Sequence, residues 1–181
     1  MSALYFNTSN RDKVKEIKVL FNDCKRRIAI LDYKVTEILS IDIRSVILHK
    51  AKEAYRVAKV PVIVEHGGLE IEYLNGYPGG LSKPMWDTLN DKICDLLPRN
   101  HRKATAISAV CFCDGKERKV FIGKTQGKIS LSGKGNNGFQ WDPIFIPEDA
   151  DATYAEMDLN QKLEYSQAAR AYKQLRKYLN V

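Results

Sequence analysis

The thirteen residues 135–147, GNNGFQWDPIFIP, leave the chain less freedom than any other stretch. Two glycines give the backbone latitude at a turn, Asp142 is driven toward extended geometry by Pro143, and an apolar run closes at Pro147. These residues fit a tight connection into a core strand. They fit equally well the rim of a cleft, with Phe139 and Trp141 presenting ring faces and Asp142 held beside them as an acceptor. The second arrangement is a slot for a nucleobase, and the rest of the chain has to decide between the two.

Upstream, residues 3–6 read as a short buried strand that runs into the polar turn Thr8-Ser9-Asn10. A helical pattern follows, with Val14, Ile17 and Leu20 or Phe21 on one face and Asn10 as its cap. A strand that ends in a turn opening a helix leaves backbone donors where an anion can be held, and Lys13 lies one turn inside. There is no GxxxxGK[ST], so this is not a P-loop. Residues 28–35 form a second strand candidate, and Glu37 is the carboxylate to watch in the loop after it. A helix is expected over 44–59, with Ile47, Ala51, Ala54, Tyr55 and Ala58 on its apolar stripe.

Residues 60–64 read as a buried strand delivering Glu65, His66, Gly67 and Gly68 at its C-terminal end, where the loops of an α/β sheet surround a crevice. Pro78-Gly79 marks a turn, and Ser82-Lys83 opens a helix through about residue 97 with Met85, Leu89, Ile93 and Leu96 inward. Residues 104–112 and 119–122 make a hairpin around Asp114-Gly115, followed by another polar strand through 129. A last helix is expected over 162–179, where Lys162 and Arg170 are candidates for ligand contact.

The 181 residues suit one domain, or one domain with two lobes. Twenty-nine basic against 22 acidic side chains give a formal charge of +7, which favours an anionic partner. The basic residues are dispersed and no zinc-finger or RNA-binding motif is present, so a nucleic acid is not the expected partner. No apolar run is long enough for a membrane span. The start of the chain lacks the pattern of a secretory signal, and the four irregular cysteines suit a reducing cytoplasm.

Chemistry gathers from separate parts of the chain. Glu37 and Glu65 arrive at two loop or strand ends and could share a magnesium ion, which takes hard oxygen ligands. Lys13 and Lys83 arrive from separate helix starts and could offset phosphate charge. His66 could accept a proton from water if one of its nitrogens is free.

The order of these motifs resembles the Ham1-like inosine triphosphate pyrophosphatase family. The matching landmarks are TSNRDK (8–13), EHGGL (65–69), NGYPGGLSK (75–83), GFQWDPIFIP (138–147), TYAEM (153–157), and Lys162 with Ser166. The resemblance covers nearly the whole chain. It implies an elongated, two-lobed mixed α/β fold with a central nucleotide cleft, and hydrolysis of non-canonical nucleoside triphosphates to monophosphate and pyrophosphate with Mg2+. It further implies a homodimer.

Carried over by residue, the resemblance places Thr8, Asn10, Lys13 and Lys83 at the triphosphate, and Glu37 and Glu65 at the metal, with Asp42 competing with Glu37. Phe139 would stack on the base, Trp141 and Asp142 would shape its pocket, and Lys162 and Gln167 would also contact the nucleotide. Two departures stand out. His66 replaces the second acid of the family's acidic pair, and Ser166-Gln167-Ala168 stands where the family has Ser-His-Arg. The first alters the metal or proton chemistry expected there. The second removes groups that recognise a keto purine, while Gln167 offers a donor and an acceptor that suit a different base.

Overall fold

The computed structural model describes residues 3–181. Seven strands form one mixed sheet: β1 (Leu4–Asn7), β2 (Ile28–Leu31), β3 (Val62–Ile71), β4 (Pro78–Gly79), β5 (Lys103–Cys113), β6 (Arg118–Ile129) and β7 (Phe145–Pro147). Their order is β2-β1-β3-β5-β6-β7, with β4 also on β3. β1 runs parallel to β2 and β3, and the remaining pairings are antiparallel. The helices are α1 (Arg11–Leu20), α2 (Ile43–Ala58), α3 (Ser82–Leu89), α4 (Leu159–Tyr165) and α5 (Gln167–Leu179).

The register of β3 creates the cleft. β5 pairs with it along its whole length, from Val62 to Ile71. Its other edge is shared: β1 holds Val62 and Ile63, and β4 holds Leu69 and Glu70. Residues 64–68 therefore have no neighbouring strand on that edge, and an opening is left between the end of β1 and the start of β4. This corrects the expected strand end after Val64. The chain does not stop at Glu65; β1 is the strand that stops, at Asn7.

Alternation along β3 sorts the core. Ile63 packs with Phe6, Ile17, Tyr172 and Leu175 beneath α1 and α5. Val62 and Val64 face the other way, onto Ile47, Ala51 and Ala54 of α2, in a cluster that also holds Cys111 and Cys113. Further along, Leu69 and Ile71 join Trp141, Phe145 and Tyr154 in a third cluster.

Other boundaries also differ from expectation: β2 ends at Leu31 rather than at residue 35. The strand after the hairpin is a single twelve-residue β6, because β5 offers partners from Lys103 to Cys113 throughout. The helix opening at Ser82 gives way after Leu89 to a 3-10 segment, Asn90–Leu96, which leaves Leu96 exposed and buries Leu97. The last helix is two, broken at Ser166, whose hydroxyl caps α5 by accepting from the Ala168 and Ala169 amides. Among the described residues, no helix is long and apolar enough to cross a membrane.

Candidate active site

The opening beside β3 holds a cavity of about 350 Å3, lined by Asn7, Thr8, Ser9, Asn10 and Lys13 on one side and Glu37, Lys50, His66 and Lys83 on the other. The Asn10 carboxamide accepts from the Asp12 and Lys13 amides and so fixes the first turn of α1. The helix N-terminus and the Lys13 side chain thereby face one space, a setting for an anion. Buried Asn7 ties the far wall in place: its amide donates to the Tyr33 carbonyl, and its carbonyl accepts from the Tyr33 amide.

Glu65 and His66, neighbours on a strand, point to opposite faces. Glu65 turns toward α1 and α5 and is buried. It accepts from Ser108 Oγ at 3.0 Å and Tyr172 Oη at 3.1 Å, with Lys13 Nζ 3.4 Å away. Burial would push its carboxyl up, but Lys13 and the two hydroxyls outweigh burial and hold it below its ordinary value. His66 turns into the cavity. Its Nε2 lies 2.9 Å from the Gly80 carbonyl, which can only accept, and its Nδ1 lies 3.3 Å from Glu37 Oε2. The other Glu37 oxygen is 2.8 Å from Lys50 Nζ. The His66 hydrogen bond, then Lys50, bring the Glu37 carboxyl down to about 2, while burial and nearby Lys13 lower the Lys50 ammonium.

The expected pairing of Glu37 with Glu65 around one magnesium ion is therefore not assembled. One carboxylate lies on each face of β3, and the Glu65 oxygens are already taken by Ser108, Tyr172 and Lys13. Among the described residues, no three His, Cys, Asp or Glu side chains gather as a metal site. The donors that do meet are Glu37 and His66, one oxygen and one nitrogen. Nor is either nitrogen of His66 free to take a proton from water, since Gly80 and Glu37 occupy both. Asp42 is spent as the cap of α2, accepting from the Arg44 and Ser45 amides. Lys83 is mostly exposed at the cavity edge and pairs with Asp87.

A second cavity, of about 230 Å3, lies along the same helix α1. Phe139, Tyr154 and Lys162 line it together with Glu16. Lys162 is buried, with its ammonium 2.8 Å from Asp142 and 2.9 Å from Glu16, and 4.6 Å from the Phe139 ring centre. Two carboxylates share one ammonium. Burial pushes Glu16 and Asp142 up, and their joint field outweighs burial at Lys162 and pushes its ammonium up too. Asp142 also accepts from the Phe139 amide at 2.8 Å, and a Cβ on Gly138 would come within 2.0 Å of that carboxylate.

Trp141 departs from expectation. It is only 5% exposed and packs edge-on against Phe145 in the core, so it offers no ring face to the cleft. The left-handed backbone of Gln140, at φ 52°, turns the chain there and sends the Gln140 side chain to the first cavity instead. Gln167 is buried and lines neither cavity. Its carbonyl accepts from the hydroxyl of Tyr154, so it meets the second cavity only through that ring. Arg170 reaches the Lys124 carbonyl, away from both. Sequence reading missed Glu16, Lys50 and Gln140. Only Glu16 left a trace, as an acid one position before the inward Ile17.

Known proteins align with this geometry over nearly the whole chain. The Ham1 family model matches residues 4–178. The dITP/XTP pyrophosphatase of Saccharolobus solfataricus is 36% identical over 174 residues, covering 95% of this chain and 91% of that protein. The inosine triphosphate pyrophosphatase of Candida glabrata is 34% identical over 188 residues, covering 98% and 97%. In fold, a HAM1 protein of Coxiella burnetii superposes with a TM-score of 0.84 at 23% identity, over 99% of each chain. The Staphylococcus aureus Ham1 protein gives 0.74 at 25% identity, over 97% of each.

Proposed function

Because the chain belongs to the Ham1 family, we propose that it is a nucleoside triphosphate pyrophosphatase, which hydrolyses a non-canonical or modified nucleoside triphosphate to the monophosphate and pyrophosphate. The relatives named as dITP/XTP and inosine triphosphate pyrophosphatases support the reaction class. One observation carries the reading on this chain: a lysine-lined cavity and an aromatic-walled cavity lie along one helix, α1, with Lys13 in the first and Glu16 in the second.

The triphosphate occupies the first cavity. Its oxygens face the turn that Thr8 and Asn10 shape before α1, and Lys13, Lys50 and Lys83 offset the negative charge that grows as the α–β bridge breaks. The base enters the second cavity against Phe139. Lys162, fixed by Asp142 and Glu16 beside the Phe139 ring, offers a charged donor there, so a base edge with an acceptor at that position is favoured. A divalent metal, magnesium by family resemblance, would be held by Glu37 and the substrate's phosphate oxygens, and would polarise the phosphoryl group. Water, rather than a side chain of the protein, is the nucleophile. His66 orients Glu37 and does not serve as the base. The chain forms one domain and works as a homodimer, which a solution mass near twice 20.6 kDa would support.

The test is pyrophosphate release from a panel of modified purine and pyrimidine triphosphates, with product identity read directly. Turnover of at least one is expected. Saturable binding without turnover under every metal tried would leave a nucleotide-binding protein instead, a reading that the engaged nitrogens of His66 favour.

A further inference from the structure

The two cavities meet at one peptide bond. Phe139 lines the second cavity, and the next residue, Gln140, lines the first. Helix α1 forms the facing wall, with Lys13 in the first cavity and Glu16 in the second. Three residues of helix separate those two side chains by about 4.5 Å along the axis, roughly the width of one sugar ring. A nucleotide with its base against Phe139 and its phosphates beside Lys13 therefore carries its sugar past Gln140.

Gln140 is held there against its own backbone preference. Its φ of 52° lies in the left-handed region, which glycine or asparagine occupies far more readily. The residues on either side enforce that conformation. The Phe139 amide donates to Asp142 at 2.8 Å, the Asp142 amide donates back to the Phe139 carbonyl at 3.2 Å, and Trp141 is buried against Phe145. Strain that the surrounding fold over-determines in this way gathers at ligand sites. Glycine would relieve it, but only a longer side chain brings a carboxamide into the cavity. Gln140 is half-buried, and among the described residues its carboxamide has no hydrogen-bond partner.

The chemistry of a carboxamide selects the group it meets. Phosphate oxygens only accept, would press negative charge on the Gln140 carbonyl, and already have Lys13, Lys50 and Lys83 around them. The base edge lies with Phe139 and Lys162 in the second cavity. A sugar hydroxyl both donates and accepts, so it can use either end of the carboxamide. With triphosphate and base seated as in the function proposed above, on which this rests, we infer that Gln140 hydrogen-bonds the hydroxyl edge of the sugar. It thereby selects ribonucleoside triphosphates over forms that lack the contacted hydroxyl.

The probes are inosine triphosphate and its 2′-deoxy and 3′-deoxy forms, which share one base and differ by one hydroxyl. The full-length protein is expected to favour the ribose form over at least one deoxy form by about tenfold in kcat/KM, the worth of one such hydrogen bond. The disfavoured form identifies the hydroxyl. Gln140→Gly suits the left-handed backbone, so it keeps the fold and should bring that ratio close to one. Gln140→Leu keeps the bulk without the carboxamide and should lose the preference as well. Equal use of all three forms by the parent overturns the inference. So does a preference that survives in either variant, which would assign it to shape or to another residue.

Binding of the three uncleavable analogues, with a methylene at the α–β bridge, separates this contact from the pyrophosphatase reading. Ribose-selective binding that Gln140→Gly abolishes, with no turnover, keeps the contact and rejects the enzyme. Turnover without sugar selection rejects the contact and keeps the enzyme. A protein that neither binds nor cleaves any of the three rejects the sugar contact, and the wider triphosphate panel then decides the enzyme.

Discussion

Lys162 sets the charge balance of the base-side cavity. Glu16 and Asp142 both depend on its single ammonium, with side chains only 4% and 3% exposed. Lys162→Met would leave two buried carboxylates without a counter-charge, a loss of about 3–5 kcal/mol at neutral pH. The sign with pH follows from the raised carboxyls. An acid whose folded-state value lies above its unfolded value binds protons more tightly when folded, so lowering the pH favours the folded state. The gap between Lys162→Met and the parent should therefore narrow from about pH 7.5 to about pH 4, where both acids take up protons. Urea unfolding at the two pH values measures it. A gap that is constant or widens toward acid would mean that the carboxylates do not carry the cost.

At the scale of elements, the contact between α5 and β6 is made backbone to backbone. A Cβ on Gly123 would lie 1.9 Å from the Gln167 carbonyl oxygen and 2.7 Å from the Ala171 amide, so neither neighbour can yield by rotating a side chain. Gly123→Ala should force α5 off the sheet at a cost of about 1–3 kcal/mol. Thermal unfolding reads that cost. Because Tyr172 on α5 donates to Glu65, the displacement should also loosen the anchor of Lys13, raising KM for the triphosphate more than it lowers kcat. A stable variant with unchanged KM would show that the helix and the cleft are independent.

For the whole molecule, the cleft's lysines are already paired in the free protein: Lys13 with Glu65, Lys50 with Glu37 and Lys83 with Asp87. Triphosphate binding draws on these pairs and on the protein's net positive charge. A bound analogue at about 100 times its Kd should add about 2.7 kcal/mol, seen as a rise of about 5–11 °C in Tm for a chain of this length. Lys13→Ala should unfold at lower temperature without ligand, since buried Glu65 keeps only two neutral donors, and it should lose most of the ligand-induced rise. Scanning calorimetry with and without the analogue decides the point. A full ligand-induced rise in Lys13→Ala would remove Lys13 from the triphosphate site.

Local chemistry made much of this architecture readable from the chain. Asn10 before an amphipathic run announced α1, the stripe from Ile47 to Ala58 announced α2, and Asp114-Gly115 announced the β5–β6 hairpin, because caps, periodicity and turns are written within a few residues of one another. The ordered motifs from Thr8 to Ser166 were together specific enough to point to the Ham1 family. What the chain could not disclose was which edge of β3 stays open, that Glu65 and His66 part company across the sheet, or that Trp141 belongs to the core. Nor could it reveal that Lys162 would be buried against Glu16, 146 positions away. Those outcomes depend on strand register and on charges meeting across the sequence. Only packing decides them, since a buried ion pair and a solvated lysine look alike until the partner arrives.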